Sequence, residues 1–313
     1  MKGLELSEKF YLEHGAPMLR AQFSDCLHLL AVGLMGSGSE CFGYDDDIST
    51  DHDFEPGFCI LIPDEDLIDR KTEFALERAY AKLPREFMGY KRNPQNPVGG
   101  NRHGVIRMSK FFLEKTGVSD GELSLRDWLT VPEQSLAEAT NGRVFFDGFG
   151  VFTDIRARLS YLPEDVRRKK LAGELLLMGQ SGQYNYARCI ARRENAAAQL
   201  SAFEFAKSSM HAVFLLNRRY LPYYKWSFRA LRELPMLSDL HEPLEELIST
   251  GNGEGAVDKK KALIERVCCD IIQTVRAQEL TVYAGNEAEG HAYSVNDRIS
   301  DAELRNMHIL TAV

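Results

Sequence analysis

The sequence predicts an α/β (α+β) protein: a small mixed-sheet domain over residues 1–160, followed by an α-helical domain over residues 161–313. In the first half, short apolar runs alternate with stretches of helical spacing, which is typical of strands and helices in turn. From residue 163 the pattern changes to long stretches rich in Ala, Leu and Gln with few β-branched residues, which favours packed helices. A chain of 313 residues also suits two domains with cores of ordinary size.

The individual elements follow from the apolar runs and the residues that interrupt them. Strands are predicted at residues 28–34, 58–62, 105–108 and 143–147. Helices are predicted at residues 64–82, where acidic residues in the first turn complement the helix dipole, within residues 163–234, and at residues 258–280. Residues 93–104 are rich in Pro, Asn and Gly and are predicted to form a loop, whereas the last thirty or so residues carry no clear pattern.

Composition narrows the classes of function. The net charge of -8 and the pI of about 5.6 disfavour general nucleic-acid binding, which depends on Lys and Arg neutralising phosphates. A small anionic ligand remains compatible, because cations cluster locally at Arg167, Arg168, Lys169 and Lys170 and at Arg218, Arg219, Lys225 and Arg229. No window offers about 18 uninterrupted apolar residues, so no membrane span is predicted. The charged N-terminus lacks a signal peptide's apolar segment, and the six cysteines show no C-x-x-C pairing, so we predict a cytoplasmic protein with reduced thiols.

The densest chemical signal lies between residues 36 and 55, where Gly36-Ser37-Gly38-Ser39 is followed by Asp51-His52-Asp53. Three familiar nucleotide- or metal-binding motifs do not match this segment. A P-loop needs Lys and then Ser or Thr after its last glycine, but Gly43 is followed by Tyr44. A dinucleotide fingerprint needs a small residue where Cys41 stands, and an EF-hand needs Gly and Glu at loop positions that hold neither.

Two carboxylates two positions apart can form a metal site. On a strand, Asp51 and Asp53 would point to the same face and could hold Mg²⁺, a hard ion that also takes ligands from phosphates. Backbone N–H groups of the Gly-Ser turn, with the hydroxyls of Ser37 and Ser39, could then approach a triphosphate closely. Asp, Ser and Gly also crowd ordinary turns, and we interpret Asp45, Asp46 and Asp47 in that way. For Asp51 and Asp53 the surrounding pattern favours metal ligation.

The Gly-Ser pair, thirteen intervening residues and Asp-x-Asp before an apolar strand resemble the signature of the polymerase-β-like nucleotidyltransferases. The longer stretch over residues 38–53 is similar to an uncharacterised bacterial family of nucleotidyltransferase-like proteins, catalogued as a domain of unknown function. The second hallmark of that family is a basic-aromatic box, here residues 218–226 with the sequence Arg-Arg-Tyr-Leu-Pro-Tyr-Tyr-Lys-Trp. The resemblance to this family implies an N-terminal nucleotidyltransferase domain and a C-terminal helical domain, and it supplies no substrate.

The basic-aromatic box has two physical interpretations. Its aromatic residues, Tyr223 among them, could stack on a base while Arg219 or Lys225 neutralises phosphate. They could equally pack inside the protein with the cations in solvent, and the sequence leaves this open for the aromatics while favouring phosphate contact for Lys225. The predicted nucleotide-binding residues are therefore Gly36, Ser37, Ser39, Arg219, Tyr223 and Lys225.

The sequence departs from the wider superfamily at one point. Active members often carry a third carboxylate on a later strand, but residues 105–109, which we align there, have none. Asp147, at the end of the fourth predicted strand, is the substitute candidate for a catalytic carboxylate beside Asp51 and Asp53. A turn-forming role for Asp147 before Gly148 is the alternative.

These observations favour an enzyme that moves a nucleoside monophosphate, AMP from ATP by preference, onto a hydroxyl group of a small molecule. A protein side chain as acceptor is a second interpretation, and a protein partner stays open. The third is a nucleotide-binding or interaction module without turnover, such as the antitoxin half of a toxin pair, which the missing third carboxylate favours. The intact Gly-Ser and Asp-x-Asp pattern favours the enzyme, because close carboxylates are costly without a cation.

Overall fold

The computed structural model describes residues 1–48, 54–92, 102–253 and 255–313. They form two compact units, the first from Met1–Asp127 with Gln134–Ser160, the second from Trp128–Glu133 with Tyr161–Val313. The predicted fold class, a small mixed sheet followed by a helical region, is confirmed. The short segment Trp128–Glu133 belongs to the second unit although it lies within the first half of the sequence.

The first unit is built on a four-stranded mixed sheet. Its strands are β1 (Ala31–Leu34), β2 (Cys59–Ile62), β5 (Gly104–Arg107) and β6 (Arg143–Asp147), and a separate hairpin is formed by β3 (Glu86–Phe87) and β4 (Tyr90–Lys91). The order in the sheet is β5-β2-β1-β6, with β1 antiparallel to both neighbours and β2 parallel to β5. Gly33, Cys59 and Gly104 are paired in one row across three strands. The carboxyl end of β1 therefore meets the amino ends of β2 and β5.

The first half of the chain also contains several short helices. They are α1 (Gly3–Phe10), which continues through a π-helical turn (Tyr11–Gly15) into α2 (Ala16–Gln22), then α3 (Ser39–Phe42), α4 (Arg70–Ala81), α5 (Met108–Thr116), α6 (Leu125–Thr130), α7 (Glu133–Thr140) and α8 (Val151–Arg158). Every residue of β1 and β2 is buried, because these central strands are covered on both faces. Phe10 and Phe58 pack at the centre of the core beneath α4, with ring centroids 5.9 Å apart.

Differences between predicted and observed elements have local causes. The first strand begins at Ala31 and not at residue 28, because Leu27–Leu29 form a 3₁₀ turn. The predicted helix at 64–82 begins at Arg70, because the side chain of Asp69 accepts a hydrogen bond from the Thr72 backbone N–H and caps the helix there. The fourth strand has the predicted bounds, Arg143–Asp147.

The second unit is helical throughout its described residues. Its helices are α9 (Glu164–Met178), followed by a π-helical stretch (Gly179–Tyr186), α10 (Ala187–Ala191), α11 (Asn195–Leu216), α12 (Tyr224–Arg232), α13 (His241–Ser249), α14 (Ala256–Ala277), α15 (Ala288–Asp297) and α16 (Ala302–Asn306). The core forms around α9 and α11, whose buried faces carry Leu171, Leu175, Phe205 and Val213. The last thirty residues, for which the sequence offered no pattern, include α15 packed against α9. Among the described helices, none combines the length and apolarity needed to cross a bilayer.

Candidate functional site

A cavity of about 350 Å³ opens in the first unit beside the Gly-Ser turn. The turn comes directly after the carboxyl end of β1. Because β5 begins at this same edge of the sheet, the residues around its start also line the cavity. The lining includes Gly36, Ser37 and Glu40 from the turn and α3, Arg102 and His103 just before β5, and Lys110 and Lys115 from α5. The turn that the sequence singled out thus lies on a recess with several cationic side chains.

The backbone of Gly36 is held by the side chain of Asn141. The Gly36 N–H donates to Asn141 Oδ1, and Asn141 Nδ2 donates to the Gly36 carbonyl, each at 2.9 Å. Both polar groups of this glycine are therefore used to shape the turn. The hydroxyl-bearing Ser37, which is exposed, is the better placed residue of the turn to contact a ligand.

Ser37 belongs to a small charged cluster at the rim of the cavity. Its hydroxyl donates to Glu138 Oε2 at 2.8 Å, and the ammonium of Lys115 lies 3.2 Å from the Ser37 oxygen and 2.8 Å from Glu138 Oε2. Burial disfavours the charged form of Lys115, but the hydrogen bond and charge of Glu138, helped by Glu114, outweigh it and raise the pKa of Lys115. Lys115 therefore supplies a permanent positive charge beside the turn.

A guanidinium group forms the other side of the turn. Arg102 donates to the Ser37 carbonyl at 2.6 Å and forms an ion pair with Glu40. The Cys59 thiol donates to the Arg102 carbonyl at 3.2 Å, and burial raises the pKa of Cys59 to about 12, which keeps this donor protonated. Glycine is required at position 38 for two reasons. A Cβ there would lie 1.9 Å from the Arg102 guanidinium, and the backbone φ of +142° is one that other residues rarely adopt.

The sequence did not single out Arg102, His103, Lys110 or Lys115. These residues lie near the turn because β5 pairs in parallel with β2 and α5 directly follows β5. The pairing of two strands distant in sequence could not be predicted from the local pattern of residues. Arg107 is engaged with Glu73 at 2.5 Å. Lys110 is exposed and forms no ion pair with any residue that the structure describes. The cavity therefore offers at least one cation that an anionic ligand could reach.

The predicted metal ligands Asp51 and Asp53 lie outside the described residues. Among the residues that are described, no group of three His, Cys, Asp or Glu side chains could hold a metal ion. The chemistry of the two aspartates suits Mg²⁺, which prefers oxygen ligands and binds through one or two carboxylates together with phosphates. Assignment of the metal to Asp51 and Asp53 therefore stays a prediction from the sequence.

Asp147 lies away from the cavity. It pairs with Ala31 at the start of β1, whereas the Gly-Ser turn follows Leu34 at the other end, about 10 Å further along the strand. Both carboxylate oxygens are used: Oδ1 accepts from the Gly150 N–H at 2.8 Å, and Oδ2 accepts from the backbone and hydroxyl of Thr153 at 2.9 and 2.6 Å. Asp147 thus stabilises the start of α8, which agrees with the turn-forming alternative.

The basic-aromatic box lies in the second unit and divides by burial. Tyr220 is buried against Tyr161, with ring centroids 5.8 Å apart, so it packs inside this unit. Tyr223 and Tyr224 are 42% and 75% exposed, and Arg219 and Lys225 are exposed too. The ammonium of Lys225 lies 4.7 Å from the centroid of the Trp226 ring. The exposed members of the box remain able to meet a ligand, whereas Tyr220 is structural.

Cations of α9 that the composition suggested for anion binding are largely engaged within the second unit. Arg167 donates to Glu164 at 2.6 Å, and Arg168 donates to the Arg298 carbonyl. Lys169 donates to Asn296 Oδ1 at 2.9 Å and to the Met307 carbonyl at 2.6 Å. Because they hold the unit together, these residues are not candidates for ligand binding.

Comparison with known proteins gives one family and one solved structure. The family described as "Domain of unknown function (DUF4037)" matches residues 128–227, which include the whole basic-aromatic box. No protein of curated function matches the chain. The chain is similar to the crystal structure of a "nucleotidyltransferase-like protein" from Exiguobacterium sibiricum 255-15, with 12% identity and a TM-score of 0.37, over 91% of this chain and 80% of that chain.

Replacement of Lys115 by Met should lower the free energy of unfolding by about 1–3 kcal/mol. The change removes charge-assisted hydrogen bonds and leaves the half-buried Glu138 carboxylate without its cation. The matched control is Lys110→Met on the same helix, which removes an exposed ammonium and should change stability by no more than about 0.5 kcal/mol. Urea denaturation of the two variants measures the difference, and equal stabilities would contradict a structural role for the Lys115 cluster.

Proposed function

We propose that this protein is a Mg²⁺-dependent nucleotidyltransferase that moves a nucleoside monophosphate, AMP from ATP by preference, to a hydroxyl group of a small molecule. The observation that carries the proposal is the position of the Gly-Ser turn on a cavity that also holds Arg102, Lys110 and Lys115. A hydroxyl-bearing turn lined with cations is suited to the phosphates of a nucleotide.

In this proposal, different residues of the chain bind the phosphates, neutralise their charge and hold the metal ion. Ser37 on the cavity lining and Ser39 at the start of α3 bind phosphate oxygens, while Lys115 and the exposed Lys110 offset their charge. Asp51 and Asp53 hold Mg²⁺, which when bound neutralises triphosphate charge and favours departure of pyrophosphate. Arg219, Tyr223 and Lys225 stay predictions from the sequence for contacts with the nucleotide.

The size of the cavity supports a small acceptor. A volume of about 350 Å³ is at the lower end of the range usual for small-molecule sites. Its mixed lining of cations and carboxylates, which include Glu77 on an exposed part of α4, suits a polar acceptor with several hydroxyl groups. An acceptor on a protein surface is the alternative form of the same reaction. Six free cysteines agree with the reducing cytoplasm that we propose as its location.

A module that binds nucleotide without turnover is the second candidate function. Residues 105–109 carry no carboxylate, and the ion pairs Glu40–Arg102, Glu73–Arg107 and Glu114–Lys115 engage three acidic side chains of the cavity. This candidate predicts nucleotide binding without pyrophosphate release. The two functions therefore differ in one measurable product.

A thermal-shift screen tests the proposal directly. The purified protein is heated with ATP, GTP, CTP or UTP, each with and without Mg²⁺, because a ligand that binds the native state raises the melting temperature by mass action. We expect the largest Mg²⁺-dependent rise with ATP, and pyrophosphate release from the same mixture identifies turnover. A rise for none of the four nucleotides would overturn the proposal, whereas a rise without pyrophosphate would favour the module.

A further inference from the structure

We propose that His103 is the general base of the transfer reaction and that Glu55 is its positioning residue. Nε2 of His103 accepts the proton of the acceptor hydroxyl as that oxygen attacks the α-phosphorus. The inference rests on the proposed function and deepens it by naming the group that receives the proton. It also accounts for a nucleotidyltransferase-like sequence with no carboxylate at residues 105–109.

His103 is one of the residues that line the cavity beside the Gly-Ser turn. It directly precedes β5, whose first residue, Gly104, is in the same sheet row as Cys59 and Gly33. The ring lines the same cavity as Gly36 and Ser37 and is 9% exposed, so it is shielded from bulk solvent but not sealed off. A base in such a position meets a bound ligand and few competing water molecules.

The hydrogen bonding of His103 selects the nitrogen that can act. Nδ1 lies 3.0 Å from Oε1 of Glu55, and a carboxylate in this position accepts the proton carried by Nδ1. In neutral imidazole a proton on Nδ1 leaves the lone pair on Nε2. Nε2 has no hydrogen-bond partner among the described residues, so it is the nitrogen available to a ligand in the cavity.

The backbone before β2 is adapted to this ring. A Cβ on Gly57 would lie 2.7 Å from both Cγ and Nδ1 of His103, closer than side-chain atoms approach one another. The Ser7 hydroxyl donates to the Gly57 carbonyl at 2.5 Å and anchors this glycine to α1. Gly57 and Glu55 therefore fix the Nδ1 edge of the ring, and no described residue forms a hydrogen bond with its Nε2.

Three of the four described glutamates that line the cavity are engaged by cations. Glu40 and Glu73 are bound to Arg102 and Arg107, and Glu114 lies beside Lys115, whose pKa is raised and which stays protonated. The oxygens of an ion-paired carboxylate are already engaged by the neighbouring cation. His103 is the imidazole among the described lining residues, and histidine is the side chain that enzymes use most often for proton transfer.

The proposed step balances as follows in atoms and charge. A bond forms between the acceptor oxygen and the α-phosphorus, and the bond from that phosphorus to the bridging oxygen of the β-phosphate breaks. Pyrophosphate leaves with the electron pair, and the acceptor proton moves to Nε2, giving an imidazolium that Glu55 stabilises. Proton loss from His103 to solvent restores the neutral ring for the next turnover.

The decisive variant is His103→Gln, with His28→Gln, an exposed histidine of the same unit, as its matched control. Two quantities are measured with ATP and Mg²⁺: the dissociation constant by calorimetry, and the rate of pyrophosphate release with water as acceptor. We expect the His103 variant to keep its ATP affinity within about threefold and to lose activity by a factor of about 10²–10⁴, the range for general-base removal. The control should match the wild type in both.

Contrary outcomes separate the inference from the proposed function. An unchanged rate or a large loss of ATP affinity in the His103 variant would overturn the assignment of His103. A wild type that does not bind ATP, or that binds ATP and releases no pyrophosphate, would instead overturn the proposed function. ¹⁵N NMR of the histidine rings gives a readout that needs no turnover: we expect the proton on Nδ1 and the lone pair on Nε2, and a shift of this balance in Glu55→Gln. A proton resident on Nε2 would overturn the inference.

Discussion

Asparagine at both Asp51 and Asp53 should reduce magnesium-dependent nucleotidyl transfer by a factor of about 10³ or more. A metal ion contributes several kcal/mol to charge stabilisation in phosphoryl chemistry, and each ~1.4 kcal/mol corresponds to a factor of ten in rate. The substitution keeps the shape of both side chains and removes the two negative charges that attract Mg²⁺. The melting-temperature rise with ATP should then be the same with and without the metal.

The adjacent acidic turn supplies the matched control for this double substitution. Asp46→Asn with Asp47→Asn removes the same amount of charge from residues that we interpret as a solvated turn, where Asp46 accepts a hydrogen bond from the Ile48 N–H at 3.1 Å. That pair should keep transfer within about threefold of the wild type, since exposed charges of this kind contribute little. Pyrophosphate release at saturating ATP and Mg²⁺ measures both variants. Full activity in the Asp51/Asp53 variant would refute the metal assignment.

Replacement of Glu133 by Ala should destabilise the protein by about 3–5 kcal/mol, the cost of leaving a buried charge without its partner. In the second unit, Glu133 Oε1 lies 2.9 Å from Nε2 of His211 and 3.7 Å from the ammonium of Lys170. Glu174 holds the other ring nitrogen of His211 at 2.6 Å. Loss of Glu133 leaves two cations facing one carboxylate in a region with little access to water.

The exposed ion pair of Glu204 and Lys207 provides the comparison. Their charged groups lie 4.0 Å apart on α11, and Glu204→Ala should cost no more than about 0.5 kcal/mol. Urea denaturation of Glu133→Ala, Glu204→Ala and the wild type at one pH measures both losses. Similar small effects from the two substitutions would mean that the Glu133 cluster is far better solvated than its burial indicates.

The same cluster makes stability depend on pH in a defined direction. Burial disfavours the cationic form of His211, but the charges and hydrogen bonds of Glu133 and Glu174 outweigh it and raise the pKa of His211 to about 10. The folded state therefore binds a proton that the unfolded chain releases near pH ~6.5. The contribution is complete below that value and is lost as the pH rises towards 10. Melting temperatures over this interval should fall more steeply in the wild type than in His211→Leu.

Much of the fold could be predicted because its signals are local. The segment Arg143–Asp147 is an apolar run bounded by Gly142 and Gly148, and it forms β6 with those bounds. The long helices α11 and α14 likewise follow from composition over many residues. The exact ends of helices depend on single side chains. Asp69, for example, caps α4 so that the helix begins at Arg70 and not at residue 64, and the sequence alone does not show which of several acidic residues forms the cap.

The site was only partly accessible to sequence reasoning. Gly36 and Ser37 form a recognisable turn, and they lie on the cavity. Lys115 and His103 reach it only through the parallel pairing of β2 with β5, a long-range contact with no pattern of its own. Asp147 is a candidate from its sequence position because a carboxylate at the end of a strand is a common position for a catalytic group. Its hydrogen bonds to Gly150 and Thr153 depend on the folded backbone and could not be predicted from the sequence.

The membership of Trp128–Glu133 in the second unit means that the two units cannot be separated by a single cut. The chain passes from one unit to the other after Asp127, after Glu133 and after Ser160. A fragment beginning at residue 161 would lack the buried Trp128 and Leu129 and would leave His211 without Glu133. Cleavage at that boundary should therefore yield a helical piece prone to aggregate.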